Sequence, residues 1–410
     1  MKTLRGLFIL AFFSLALTAC TSEAPKAPEA SQQAVDIPKL LDRHPALRQE
    51  KEWEKVQNYY VEYRQKLERN PSDDEARLSL AQLFINEARV TGEHGHYYPA
   101  GLEVLEGINL KKADEDVRFR ALAAKAGIQL SLHDFSAALG SAERAVAINP
   151  YNAQIYGALV DAYVELGQYE KAVAMADKMA SIRPDLRSYA RVSYLREIHG
   201  QVEGAIEAMK LAVSAGYPAY EETAWARLTL GRLYENYGRL EDAGREYELI
   251  LSQRPDYPFA IAALGGLALK RKDYAEAERL LKKACAIIPE FSFYESLGHI
   301  YKETGRKEDF ERTMKELWGM LKDDTDNGHN MNLEYAQLYS TLMEDQEKAR
   351  EYALKEYQKR PENIDVNRVL ANICQRMGES AKAAEYLEVA SRTNARYPAL
   401  MELRQQLASR

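Results

Sequence analysis

The chain has 410 residues, with 55 Lys plus Arg against 62 Asp plus Glu and a formal net charge of −7. That acidic balance argues against nonspecific nucleic-acid binding, which needs a basic surface to displace counterions, so no nucleic-acid partner is expected. Hydrophobic content of 46% excludes a wholly disordered chain, and 3 cysteines are too few for a disulfide scaffold.

The first segment is read as a leader. Lys2 and Arg5 are followed by the uncharged run LFILAFFSLAL over 7–17. That run is too short to cross a bilayer, which takes about 20 apolar helical residues, and it has the size of a signal-peptide core. Leu17-Thr18-Ala19-Cys20 comes next. This tetrad resembles the bacterial lipobox, in which the cysteine thiol is acylated and the chain is cut just before it. The resemblance implies a signal peptide over 1–19 and a lipidated Cys20 whose several acyl chains, such as palmitate, anchor it stably. Thr21 in place of Asp resembles lipoproteins sorted to the outer membrane. Residues 20–37, rich in Ala, Pro, Ser and Gln, read as a flexible tether. The body is therefore expected at the outer membrane, facing the periplasm or the cell surface.

Residues 38–73 are expected to form an N-terminal capping helix over 46–69, with Trp53, Tyr59, Tyr60 and Tyr63. From there to 397 the apolar residues follow helical spacing, and no sustained period-2 alternation predicts a strand. An insertion near 91–99 carries Glu93-His94-Gly95-His96-Tyr97-Tyr98. His94 and His96 are residue types that hold metals, but no third or fourth ligand is evident nearby. The same stretch also reads as a turn that packs Tyr97 and Tyr98 on the cap. No metal or cofactor is expected.

A longer period follows. Prolines recur every 34 residues at Pro150, Pro184 and Pro218, and again at Pro255 and Pro289. Counted from them, position 8 holds Ala126, Gly231, Gly265, Gly298 and Ala371. Position 20 holds Ala138, Ala172, Ala243, Ala277, Ala349 and Ala383. Small residues there let paired helices approach closely. Gly167, Gly238, Gly305 and Gly378 share position 15, where a left-handed C-cap suits glycine. Unit 291–325 has Phe310 in place of the alanine and lacks the closing proline.

These units resemble the tetratricopeptide repeat (TPR) family. The resemblance implies an all-α fold, a right-handed α-solenoid of TPR helix hairpins, with about eight to nine units over 74–397 and a capping helix over 398–410. It implies a concave groove lined by the first helix of each pair. At the groove offsets stand Arg191, His199, Trp225, Arg232, Asn236, Phe259, Lys270, His299, Lys302, Arg368, Asn372 and Arg376. Their basic and amide groups suit a carboxylate or acidic peptide. Arg368 and Asn372 have the spacing of a carboxylate clamp, with Arg in place of Lys.

No nucleophile–base–orienter set or phosphate loop is found, so an enzyme is not expected. The expected function is a lipid-anchored protein–protein interaction scaffold of the bacterial envelope, binding an envelope protein or peptide segment. The alternative is a surface glycan or small-ligand receptor of the nutrient-uptake type, which the 3 Trp and short insertions disfavour.

Overall fold

The computed structural model describes residues 36–408. The leader, Cys20 and nearly all of the tether lie outside that range. Among the described residues there are α-helices, one short 3-10 turn (Pro45–Leu47), one π-turn and no strand. No described helix is long and apolar enough to cross a membrane.

Helix α1 (Glu50–Arg69) comes first, and the other helices pair into hairpins. These are α2 (Asp74–Thr91) with α3 (His94–Glu106), α4 (Glu115–Ser131) with α5 (Phe135–Ile148), and α6 (Ala153–Glu165) with α7 (Tyr169–Ile182). Then come α8 (Leu186–Ile198) with α9 (Val202–Ala215), α10 (Glu221–Asn236) with α11 (Leu240–Gln253), and α12 (Pro258–Lys270) with α13 (Tyr274–Ile287). The last are α14 (Phe291–Glu303) with α15 (Lys307–Asp326), α16 (Asn332–Leu338) with α17 (Gln346–Lys359), and α18 (Ile364–Arg376) with α19 (Ser380–Ala390). α20 (Pro398–Ala408) closes the chain. The fold is an all-α, right-handed solenoid of stacked helix hairpins.

Local chemistry sets these boundaries. Asp73, Asp114, Asp134, Asn152 and Asp273 each accept a backbone N–H of the turn that follows, replacing a partner the helix start lacks. At position 15 the chain turns left-handed: φ is 72° at Gly167, 78° at Gly238, 70° at Gly305 and 79° at Gly378. The same position carries His133, Lys272 and Glu344 at φ 57°, 60° and 55°. The turn geometry is therefore imposed by the hairpin even where glycine is absent.

Inside each hairpin, small residues set the distance of approach. All six alanines at position 20 have no exposed surface. The Tyr247 ring packs against Gly231, where a Cβ would come within 2.3 Å of it. Shared residues join several neighbouring apolar clusters: Leu110 links the first two hairpins, and Phe259 and Leu251 bridge α10–α11 to α12–α13.

Two irregularities appear in the eighth hairpin and the one before it. α15 has no closing proline and runs for 20 residues, and Phe310 fills the volume of the missing alanine by packing into two neighbouring clusters. α16 continues into a π-turn, Tyr339–Met343, before the left-handed Glu344.

The solenoid winds far enough to meet itself. The Asn330 N–H donates to the Leu132 carbonyl at 3.0 Å, and the Ile364 N–H donates to the Tyr169 hydroxyl at 2.9 Å. Asn363 Nδ2 donates to the Glu165 carbonyl at 3.0 Å. Arg360 pairs with Glu165, and Arg392 donates to the Gly167 carbonyl. His133–Asn330, Arg360–Glu165 and Asn363–Glu165 are 197, 195 and 198 residues apart. One superhelical turn therefore takes a little under six 34-residue units. The seam so formed joins the turns inside α4–α5 and α6–α7 to the connections that follow α15 and α17.

Candidate functional site

The first helices face the inside of the superhelix, and at the N-terminal end they leave a groove of about 770 Å³. α1 supplies one wall with Val56, Tyr59 and Tyr63; α2, α4 and α6 supply the floor; Arg191 of α8 closes the far end. Tyr59 and Tyr63 stack with ring centroids 5.9 Å apart, and Tyr59 remains 48% exposed. Phe119 and Ile155 give the floor an apolar base, while Gln82, Asn86, Asn152 and Gln154 place amides along it. Gln82 Nε2 donates to Asn86 Oδ1 at 3.1 Å. Gly127 lies in the floor, and a Cβ built there would meet nothing within 4 Å.

The groove's cations are already paired. Arg191 Nη2 and Nε reach the two carboxylate oxygens of Asp161 at 2.6 and 3.0 Å, and Nε also donates to the Gly157 carbonyl. Arg120 pairs with Glu75 and Asp116. Beneath the wall, Arg43 and Glu87 form a buried bidentate pair, with Trp53 packed 5.1 Å from the guanidinium. A surface of apolar and amide groups with internally neutralised charges suits a peptide segment with apolar side chains. It offers no set of free cations for an acidic one.

The other sequence-predicted residues are spread over several places. Arg368, Asn372 and Arg376 do come together, in a concavity of about 440 Å³ between α18 and α20. Arg368 Nε there lies 3.3 Å from Asp365, and Arg376 donates to the Ser340 carbonyl and to Asn372. Lys302 caps the π-turn, donating to the Thr341 and Leu342 carbonyls and pairing with Glu344. Phe259 sits between Tyr257 and Phe293 in an aromatic row. His299 is partly buried on α14, where burial first and the Lys302 charge second hold its imidazole below the usual value. His199 Nδ1 donates to the Leu195 carbonyl, and its ring meets Tyr169 edge-on. Arg232 and Asn236 are exposed on α10, and Lys270 lies 3.3 Å from Glu235. Trp225 is 41% exposed on α10, away from the groove. Asn236 and Tyr237 hydrogen-bond to Glu197, whose carboxyl burial pushes up to about 7.

His94 and His96 point apart. His96 Nε2 hydrogen-bonds the Lys39 carbonyl at 2.8 Å, while His94 stacks on Tyr98. Among the described residues no group of three or more His, Cys, Asp or Glu side chains is placed to hold a metal ion. Cys285 and Cys374 are both free thiols.

The sequence reading missed the floor of the groove. The offsets that selected Arg191 also mark Leu78, Gln82, Ile85 and Asn86 in the first unit, and Arg120, Ala123, Gly127 and Leu130 in the second. Apart from Arg120, those residues are apolar or amide, so a search weighted toward charge passed over them.

Comparison with known proteins agrees with the repeat. Residues 129–196 match the family model described as "Tetratricopeptide repeat". The "TPR repeat-containing protein PA4667" of Pseudomonas aeruginosa is 28% identical over 163 residues, 38% of this chain. The match spans only 26% of that relative's length. Among solved structures, the Cut9–Hcn1 hetero-tetramer of the APC/C is similar at 14% identity and a TM-score of 0.48, over 87% of this chain and 66% of that one. The pilF protein of Pseudomonas aeruginosa is similar at 16% identity and a TM-score of 0.40, over 57% of this chain and 97% of its own. Residues 129–196 thus match a tetratricopeptide repeat, and the same helix-hairpin pattern runs from α2 to α19.

Proposed function

We propose that the protein is a non-enzymatic interaction scaffold of the bacterial envelope, anchored by lipid at Cys20, whose N-terminal groove binds a segment of an envelope protein. The groove between α1 and the first helices of α2–α3, α4–α5 and α6–α7 carries this reading. It is long, open and lined by stacked tyrosines, aliphatic side chains and amides. An extended or helical segment with apolar side chains fits it. The rigid solenoid pays no ordering cost on binding, so that cost falls on the partner. The Leu17-Thr18-Ala19-Cys20 tetrad supports the anchor, and Thr21 after it supports the outer-membrane location.

A pair of variants tests both halves. Cys20→Ser is expected to move the protein from the membrane to the soluble fraction. Gly127→Trp is expected to fill the groove without disturbing the backbone, since a Cβ there is unobstructed. It should keep the helical circular dichroism and lose the partner recovered from membranes. A Cys20→Ser protein that stays on the membrane overturns the anchor. A Gly127→Trp protein that still recovers the same partner overturns the groove.

A further inference from the structure

We propose that the seam between successive superhelical turns is a proton-operated latch, in which the His329 ring is buried against His133 near His94, and protonation of His94 and His329 parts the second turn from the first. The three come from separate elements: the start of α3, the turn inside α4–α5, and the connection between α15 and α16. The His329 ring meets the His133 ring edge-on with centroids 4.4 Å apart. Both ring nitrogens of His329 are buried with no hydrogen-bond partner. His133 Nδ1 lies 3.1 Å from the Asn330 carbonyl, one of the bonds that closes the seam, and its ring stacks on Phe135. His94 stacks on Tyr98, and its charge would be felt by both other imidazoles.

The charged surroundings have both signs. Glu334 Oε1 lies 4.0 Å from His133 Nδ1. Asp324 also senses His133, and Asp323, Glu290 and Glu334 act on Asp324 in turn. Across the seam stands Glu165, paired with Arg360. Asp134, Glu356 and Lys359 line the same cavity as His133, and Arg360 lies 4.7 Å over the Phe135 ring. Protons on His94 and His329 would have no carboxylate in contact to offset them.

Burial first, then His133 and His94, holds His329 down to about 3; burial and His133 hold His94 below its usual value. An open seam returns both to about 6.5. Their contribution to closure is complete above that value and is lost as the pH falls below it. Asp324 works the other way. Burial and its acidic neighbours raise it to about 6, so its contribution to closure is present at low pH and is lost as pH rises through 6. On acidification the two histidines favour the open seam, while Asp324 and the buried Glu165, both raised by burial, oppose opening.

The test is small-angle X-ray scattering with far-UV circular dichroism on the full chain between pH 7.5 and 5.0. The wild type is expected to expand reversibly on acidification while its helicity is kept. Asp324→Asn should remove part of the opposition and steepen the response. His94→Gln/His329→Gln should flatten it. An unchanged wild-type radius, loss of helicity together with expansion, or a double variant that expands like the wild type would each overturn the latch. If the double variant does not fold, histidine NMR of the wild type decides. Ring signals of His94 and His329 that change only with the radius support the latch, and signals that titrate near 6.5 at constant radius overturn it.

Discussion

Single side chains in this protein are constrained mainly by the backbone they must occupy. Lys272 is exposed and sits at φ 60° at the end of α12, where four sister units have glycine. A left-handed non-glycine residue costs about 1–2 kcal/mol, part of which glycine returns as extra freedom in the unfolded chain. Lys272→Gly is therefore expected to stabilise the protein by about 0.5–1 kcal/mol, read as a higher denaturant midpoint at unchanged slope. Unchanged or lowered stability would mean the turn is not held by the hairpin. Gly167 and Gly200 differ from the others, because a Cβ there would press within 2.4 Å of the Glu362 and Asn394 carbonyls across the seam. Their identity serves two contacts at once, the helix end and the meeting of the turns.

At the scale of the helix pair, packing distance is the controlled quantity. Ala277 has no exposed surface and lies where α12 and α13 approach, with its carbonyl 3.4 Å from a Cβ built on Gly265. Ala277→Leu would force the pair apart and should destabilise by about 1–3 kcal/mol, measured by denaturant unfolding. A neutral effect would show that the hairpin can re-space itself. These elements were legible in the sequence because the constraint repeats: alanine at position 20, glycine at position 15 and proline after the second helix return every 34 residues. The extended α15 was half legible, since unit 291–325 lacks its proline and carries Phe310. The π-turn at Tyr339–Met343 left no sign in residue type. The groove floor was written at the same offsets as Arg191, but, Arg120 apart, in apolar and amide residues that resemble any helix face. The clamp-like spacing of Arg368 and Asn372 did mark a shared concavity, whose far wall is α20 and whose guanidinium groups already have partners within the chain.

For the whole molecule, the decisive feature is the seam, and no periodicity of the units announces it. Its partners are 195–198 residues apart in Arg360–Glu165 and the two asparagine contacts, a register set by the pitch of the superhelix rather than by one unit. Small rotations between hairpins add up over nearly six units before the two surfaces meet, so the seam depends on every interface before it. Once formed, it turns an extensible spring into a closed body and fixes the curvature of the groove. The account's central claim is that this fixed inner surface, between α1 and the first helices of α2–α3 and α4–α5, receives the partner. Site-specific photo-crosslinking in intact cells tests it most directly, with the reactive side chain placed at Gln82 in the groove and, for comparison, at the exposed Tyr151. The account predicts a discrete adduct with one protein from position 82 that is absent from position 151 and is lost when Gly127→Trp is introduced. Adducts of equal yield from both positions, or none from position 82, would contradict it.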